Sequence, residues 1–158
     1  MVISCPTASN TETDPLMSLD AIKAIAFDAD DTLWENETLF RSAEAEFCEL
    51  MKDYIDADAC NRRLFDVEMR NLPMYGYGIK PFALSLIEAA IDLSEGQVSS
   101  DTIQKIIGIG KEMLEAPIKL LDGVEETLEG LNGKYRLVMA TKGDLLDQER
   151  KLNKSGLE

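Results

Sequence analysis

Apolar and polar positions divide the chain into alternating textures. Residues 21–27 read AIKAIAF, apolar with a single charge. Apolar side chains on both faces of an extended segment fit a central strand of a parallel sheet. Between 38 and 55 the apolar residues Leu39, Ala43, Phe47, Leu50 and Tyr54 recur at helical spacing among acidic ones. A second helix is expected over 61–70, then a loop at NLPMYGYG with Pro73, Gly76 and Gly78 as breakers. Pro81 opens a third helical stretch, because proline suits a first turn. Ser99 or Ser100 caps a fourth that runs to Leu114, with Gly108 and Gly110 weakening it and Pro117 ending the block.

The texture then changes back. Residues 122–131 form a short helix closed by Asn132 and Gly133. YRLVMA, 135–140, is a second buried-strand candidate, and 144–154 is an amphipathic helix with Gly156 past its end. The order is strand, four-helix block, helix, strand, helix. That alternation predicts an α/β fold with a parallel sheet. The helical block is too long for a plain crossover, so 37–117 is expected to be an inserted cap. Segments 21–36 and 118–158 then make the core, with a polar leader at 1–20.

Composition narrows the function. Thirty acidic residues against sixteen basic ones give a formal charge of −14. Nucleic acid needs Lys and Arg to displace counterions, so it is not an expected partner; nor is an anionic membrane surface. A small phosphorylated substrate stays open, since a divalent cation reverses the local field. The chain has no histidine, which excludes Ser-His-Asp and Cys-His arrangements and His-ligated zinc. Acid–base work must come from carboxylates, Lys, Tyr or Cys. Cys5, Cys48 and Cys60 form no CxxC pair, which reads as a reduced cytosolic thiol set. No stretch approaches the roughly 20 apolar residues that span a bilayer, and the N-terminus lacks the pattern of a signal peptide. The cytoplasm is the expected compartment.

Asp28 and Asp30 directly follow the first apolar run. Side chains two apart in an extended segment point the same way, at the carboxyl end where open α/β sheets place their sites. One carboxylate can attack an electrophile. The other, its pKa raised by its like-charged neighbour, can hold a proton for the leaving group. The alternative is an acidic helix cap after a buried strand.

The segment AIAFDADDTLW, 24–34, resembles the first motif of the haloacid-dehalogenase superfamily, an apolar strand followed by DxDxT. The resemblance implies a Rossmann-like core and aspartyl-phosphate chemistry, with Asp28 as nucleophile and Asp30 as general acid/base. It also implies Mg²⁺ held by the Asp28 carboxylate and the Asp30 backbone carbonyl. An Asp at 30 points to the phosphatase branch, and Asp31 stands where many members have Gly. YRLVMATKGD resembles the second motif, so Thr141, with Thr32 of the first, is expected to bind phosphate. The tail QERKLNKSGLE looks like the helix that follows that motif. The resemblance spans 21–158, with the insertion matching in placement only.

The family's third motif, a lysine, and its fourth, an acidic pair, lie beyond the second motif and have no counterpart recognised here. Without them the Mg²⁺ site is short of ligands and one side of the sheet is unpaired, which predicts self-association or a longer parent protein. The expected activity is a Mg²⁺-dependent phosphomonoesterase on a small phosphorylated metabolite, selected by the cap. The rival is a catalytically incomplete relic serving as a binding module. Lys142 reads as a solvated turn residue. Lys80-Pro81-Phe82 resembles a segment of response-regulator receivers but follows a Gly-rich loop, not a late strand. Trp34, Tyr75 and Tyr77 could line a substrate pocket or simply pack.

Overall fold

The structure, a computed structural model, describes residues 21–157, so the expected leader lies outside the described residues. The apolar runs form β1 (Ala24–Phe27) and β2 (Arg136–Met139), both shorter than the sequence pattern suggests. They pair in parallel, with Ala24 opposite Arg136 and Phe27 opposite Met139. Ala140 N–H donates to the Phe27 carbonyl at 2.8 Å, carrying the pairing to the point where Asp28 leaves β1. The fold is α/β. Neither strand is buried on both faces, contrary to what its apolar run predicts. Ala24, Ala26, Arg136 and Val138 are exposed, while Ile25, Phe27, Leu137 and Met139 are half-buried. Among the described residues the sheet has two strands, and only one of its faces is covered.

Four helices separate the strands: α1 (Glu37–Leu50), α2 (Ala57–Tyr75), α3 (Ile79–Leu93) and α4 (Ser100–Glu115). Helix α2 starts earlier than its periodicity suggests because the Asp56 carboxylate caps it, accepting from Ala59 N–H at 3.0 Å. It also runs through Pro73, expected as a breaker. Proline in the last turn removes one N–H, and the helix closes only at Gly76, whose φ of 76° suits glycine. Pro81 sits in the first turn of α3, and Ser99 caps α4 by accepting from Thr102 N–H at 3.0 Å. Gly110 has a packing reason. A Cβ there would lie 2.8 Å from the Ala83 Cβ, so α3 and α4 meet at this glycine.

The four helices enclose one cluster in which Phe47, Met51, Cys60, Leu86 and Ile106 are fully buried. Truncating such a side chain to alanine costs about 2–5 kcal/mol. A second cluster forms under the sheet, where Ala29, Leu33, Trp34 and Val124 receive Phe27, Met139, Leu128 and Leu152. It involves α5 (Val124–Leu131), started by left-handed Gly123, and α6 (Leu145–Ser155). The segments joining the two clusters run antiparallel. Glu35 N–H donates to the Lys119 carbonyl at 2.9 Å and Leu121 N–H to the Leu33 carbonyl at 3.0 Å, with a Lys119–Glu35 ion pair beside them. Among the described residues no helix is long and apolar enough to cross a membrane.

Candidate active site at the carboxyl end of the sheet

The register places Asp28 beside Ala140, one residue before Thr141, so the first acidic residue and the threonine after β2 meet at the carboxyl end of the sheet. Asp28 is exposed. Thr141 is half-buried, its hydroxyl donating to the Lys142 carbonyl at 3.2 Å. Thr32 is exposed, and its N–H reaches the Ala29 carbonyl at 3.2 Å in the tight loop after β1.

Asp30 differs from the sequence expectation. Its carboxylate turns to α6 and Trp34. Lys151 Nζ donates to Oδ1 at 2.8 Å, Trp34 Nε1 to the same oxygen at 2.7 Å, and Gln148 Nε2 to Oδ2 at 3.0 Å. Burial raises the carboxyl's pKa, but the donors from Lys151, Gln148 and Trp34 outweigh it and hold the group below its ordinary value. The expected raised pKa is overturned, because three donors act on the ionised form.

Lys151 is the residue that sequence reasoning missed. It is buried on α6 and also donates to Asn36 Oδ1 at 2.8 Å. Only the fold marks it. The buried residues of α6 are Asp147, Gln148 and Lys151, all polar, whereas Leu145 and Leu146 are exposed. A helix that turns polar residues inward marks something to be neutralised there.

Asp31 is structural. It sits at φ 57°, and its carboxylate accepts from Asn36 N–H at 2.9 Å and Glu37 N–H at 3.0 Å, capping α1. The left-handed backbone explains why glycine would suit the position. The helical block meets the core near Thr141. A Cβ on Gly78 would lie 3.7 Å from Asp144 N, one on Gly143 would lie 3.8 Å from the Tyr77 carbonyl, and Lys80 pairs with Asp144 at 2.7 Å. Asp28 itself is exposed to solvent.

Metal ligation rests on few donors. No group of three or more His, Cys, Asp or Glu side chains gathers among the described residues. Both Asp30 carboxylate oxygens are occupied by N–H donors. The Asp28 carboxylate and the Asp30 main-chain carbonyl remain, hard oxygens of the kind Mg²⁺ takes when water and phosphate fill its other positions. The donors fit Mg²⁺ in kind.

Comparison with known proteins adds the lineage. Residues 22–158 match the model of a family described as hydrolase, haloacid dehalogenase-like hydrolase. A haloacid dehalogenase-like family hydrolase from Xanthomonas campestris superposes with a TM-score of 0.81 at 42% identity, over 87% of this chain and 57% of that one. The HAD-hydrolase YfnB from Bacillus subtilis, a magnesium-bound structure, shares the fold at a TM-score of 0.53 and 20% identity, over 86% of this chain and 60% of that one. The chain thus spans less than two thirds of either solved relative. No curated protein matches. With the first-motif aspartates and the threonine after β2 brought to one end of a parallel sheet, the chain belongs to the haloacid dehalogenase-like hydrolase family.

Proposed function

We propose that the protein containing this chain is a Mg²⁺-dependent phosphomonoesterase that passes through an aspartyl-phosphate at Asp28 and acts on a small phosphorylated metabolite. The observation that supports the reading is the β1–β2 register, which brings Asp28 beside Ala140, one residue before Thr141, at the carboxyl end of the sheet. A carboxylate there can attack phosphorus while a hydroxyl holds a phosphoryl oxygen.

In the first half-reaction an Asp28 oxygen bonds to phosphorus, the ester P–O bond breaks, and the departing alkoxide takes a proton that Asp30, ionised at rest, relays from solvent. In the second, water attacks the phosphorus, the Asp28–phosphorus bond breaks and the water's proton passes to Asp30. Held ionised by Lys151, Gln148 and Trp34, Asp30 is set up for the second half, where it acts as base. Thr141 and Thr32 bind phosphoryl oxygens. Bound at Asp28 and the Asp30 carbonyl, Mg²⁺ would offset the phosphate's charge. The helices α1–α4 form a cap that selects the substrate. The buried free thiols Cys48 and Cys60 suit a cytoplasmic setting.

The test is hydrolysis of an aryl phosphate by the protein with Mg²⁺. Asp28→Asn should abolish it, and Asp30→Asn should lower it by about 10²- to 10⁴-fold. Wild-type activity in Asp28→Asn would remove the assignment.

A further inference from the structure

Apart from Asp28 and Thr141, the helical block holds a cavity of its own. It measures roughly 170 Å³ and lies between α1, α2 and α3. The residues that line it include Phe40, Tyr75, Tyr77 and Phe82 together with Glu44 and Glu68. Three of the four rings are held by neighbours, whereas Tyr77 is exposed and has the Lys142 ammonium 5.8 Å from its centroid. Phe40 and Phe82 pack edge to face at 5.0 Å, and the Tyr75 hydroxyl donates to Glu88 Oε1 at 2.6 Å. Glu44 is tied to Arg41 at 3.2 Å. Glu68 is the exception: its Oε1 is buried and has no hydrogen-bond partner among the described residues. Burial, helped by Glu44 and opposed by Arg41, pushes its carboxyl up to about 7. An unpaired buried acceptor costs about 1–3 kcal/mol, so the group is set to gain from a donor.

Aromatic faces attract cations through their quadrupole, and a buried carboxylate gains most from a donor that is itself charged. A neutral hydroxyl would answer Glu68 but not the rings. A quaternary ammonium would answer the rings but has no N–H for Oε1. A primary ammonium answers both. The place also matters. Tyr77 and Gly78, which line the cavity, lie beside Gly143 and Asp144, the residues just past Thr141.

We propose that this cavity binds a primary ammonium group through Glu68 and the surrounding aromatic rings, and that the substrate is a small phosphate ester bearing that amine. The second half rests on the phosphohydrolase reading; the first does not.

The test uses the full chain and two isosteric probes, n-butylammonium and 1-butanol, followed by calorimetry and by the ¹³C resonance of the Glu68 carboxyl. Butylammonium should bind saturably and move that resonance, and 1-butanol should do neither. Glu68→Gln should weaken butylammonium by about tenfold or more, the worth of one charge-assisted hydrogen bond. Glu129→Gln, an exposed change on α5, should leave it unchanged and so control for the general negative charge. Equal binding of both probes, an unmoved Glu68 resonance in the wild type, or unchanged affinity in a folded Glu68→Gln would each overturn the proposal. Asp28-dependent hydrolysis of aryl phosphate without butylammonium binding would remove the amine site and leave the phosphohydrolase reading standing. Binding without such hydrolysis would do the reverse to that reading.

Discussion

Lys151 Nζ lies 2.8 Å from Asp30 Oδ1 and 2.8 Å from Asn36 Oδ1, so one buried ammonium ties α6 to the loop between β1 and α1. An acidic loop at the end of a strand repels a phosphate dianion unless a cation stands nearby. Lys151 supplies such a cation within the described residues.

Breaking that pair should be costly. Lys151→Met leaves the part-buried Asp30 carboxylate short of its charged donor, at about 1–3 kcal/mol. In a double-mutant cycle with Asp30→Asn the two changes should be far from additive. The pH dependence has a definite sign. Asp30 titrates below its ordinary 3.8 in the fold, so its stabilisation is present above that value and lost as pH falls through the lowered one. Urea unfolding at about pH 6 and at strongly acid pH measures both. Additive single mutants at about pH 6 would contradict the pairing.

Asp31 offers a cleaner case of backbone against side chain. Asp31→Ala keeps the left-handed φ but loses the cap on α1, costing about 1–2 kcal/mol. Asp31→Gly loses the same hydrogen bonds yet relieves the backbone, so it should be the milder change. Thermal unfolding of the two variants gives the order, and a glycine variant no more stable than the alanine one would show that the left-handed backbone stores no strain here.

Glu68 should make the fold more stable in mild acid. Its carboxyl sits at about 7 in the fold against an ordinary 4.5. A raised carboxyl binds its proton more tightly when folded, so this contribution is present below 4.5 and is lost as pH rises toward 7. The charged groups acting on it are Glu44, which adds to the shift, and Arg41, which opposes it. Glu68→Gln should flatten the decline and raise the Tm at about pH 8 by roughly 2–4 °C, the equivalent of about 1 kcal/mol after solvent screening. An unchanged slope between those pH values would show that Glu68 titrates normally.

The elements were legible where local chemistry decides them. The end of β1 at Phe27, a cap at Ser99 or Ser100 and the four-helix run follow from periodicity and caps, and the structure selects Ser99. Pro73 misled because its cost depends on which turn it occupies, and the sequence does not say where α2 ends. Burial of the strands was overread, since an apolar run looks the same whether one face is covered or two. The Asp30 environment was hidden for a different reason. Its partner Lys151 comes from a helix 121 residues later, and only the fold shows that α6 turns its polar side inward.

Each strand has one edge unpaired among the described residues, and Val138 is exposed on the uncovered face. Such edges template pairing with another chain, so this chain should self-associate. Sedimentation across a concentration series should show weight-average mass rising, and Val138→Lys should reduce the rise. A monomer at every concentration would contradict the prediction.

The most direct test of the central claim is to locate the phosphoryl group during turnover. The protein is mixed with an acyl phosphate and Mg²⁺, quenched and treated with borohydride, which reduces an aspartyl-phosphate to homoserine. Peptide mass analysis then reads the position. Homoserine at Asp28, dependent on Mg²⁺ and missing from Asp28→Asn, is the predicted result. Homoserine at another aspartate, or turnover with none formed at Asp28, would contradict the account.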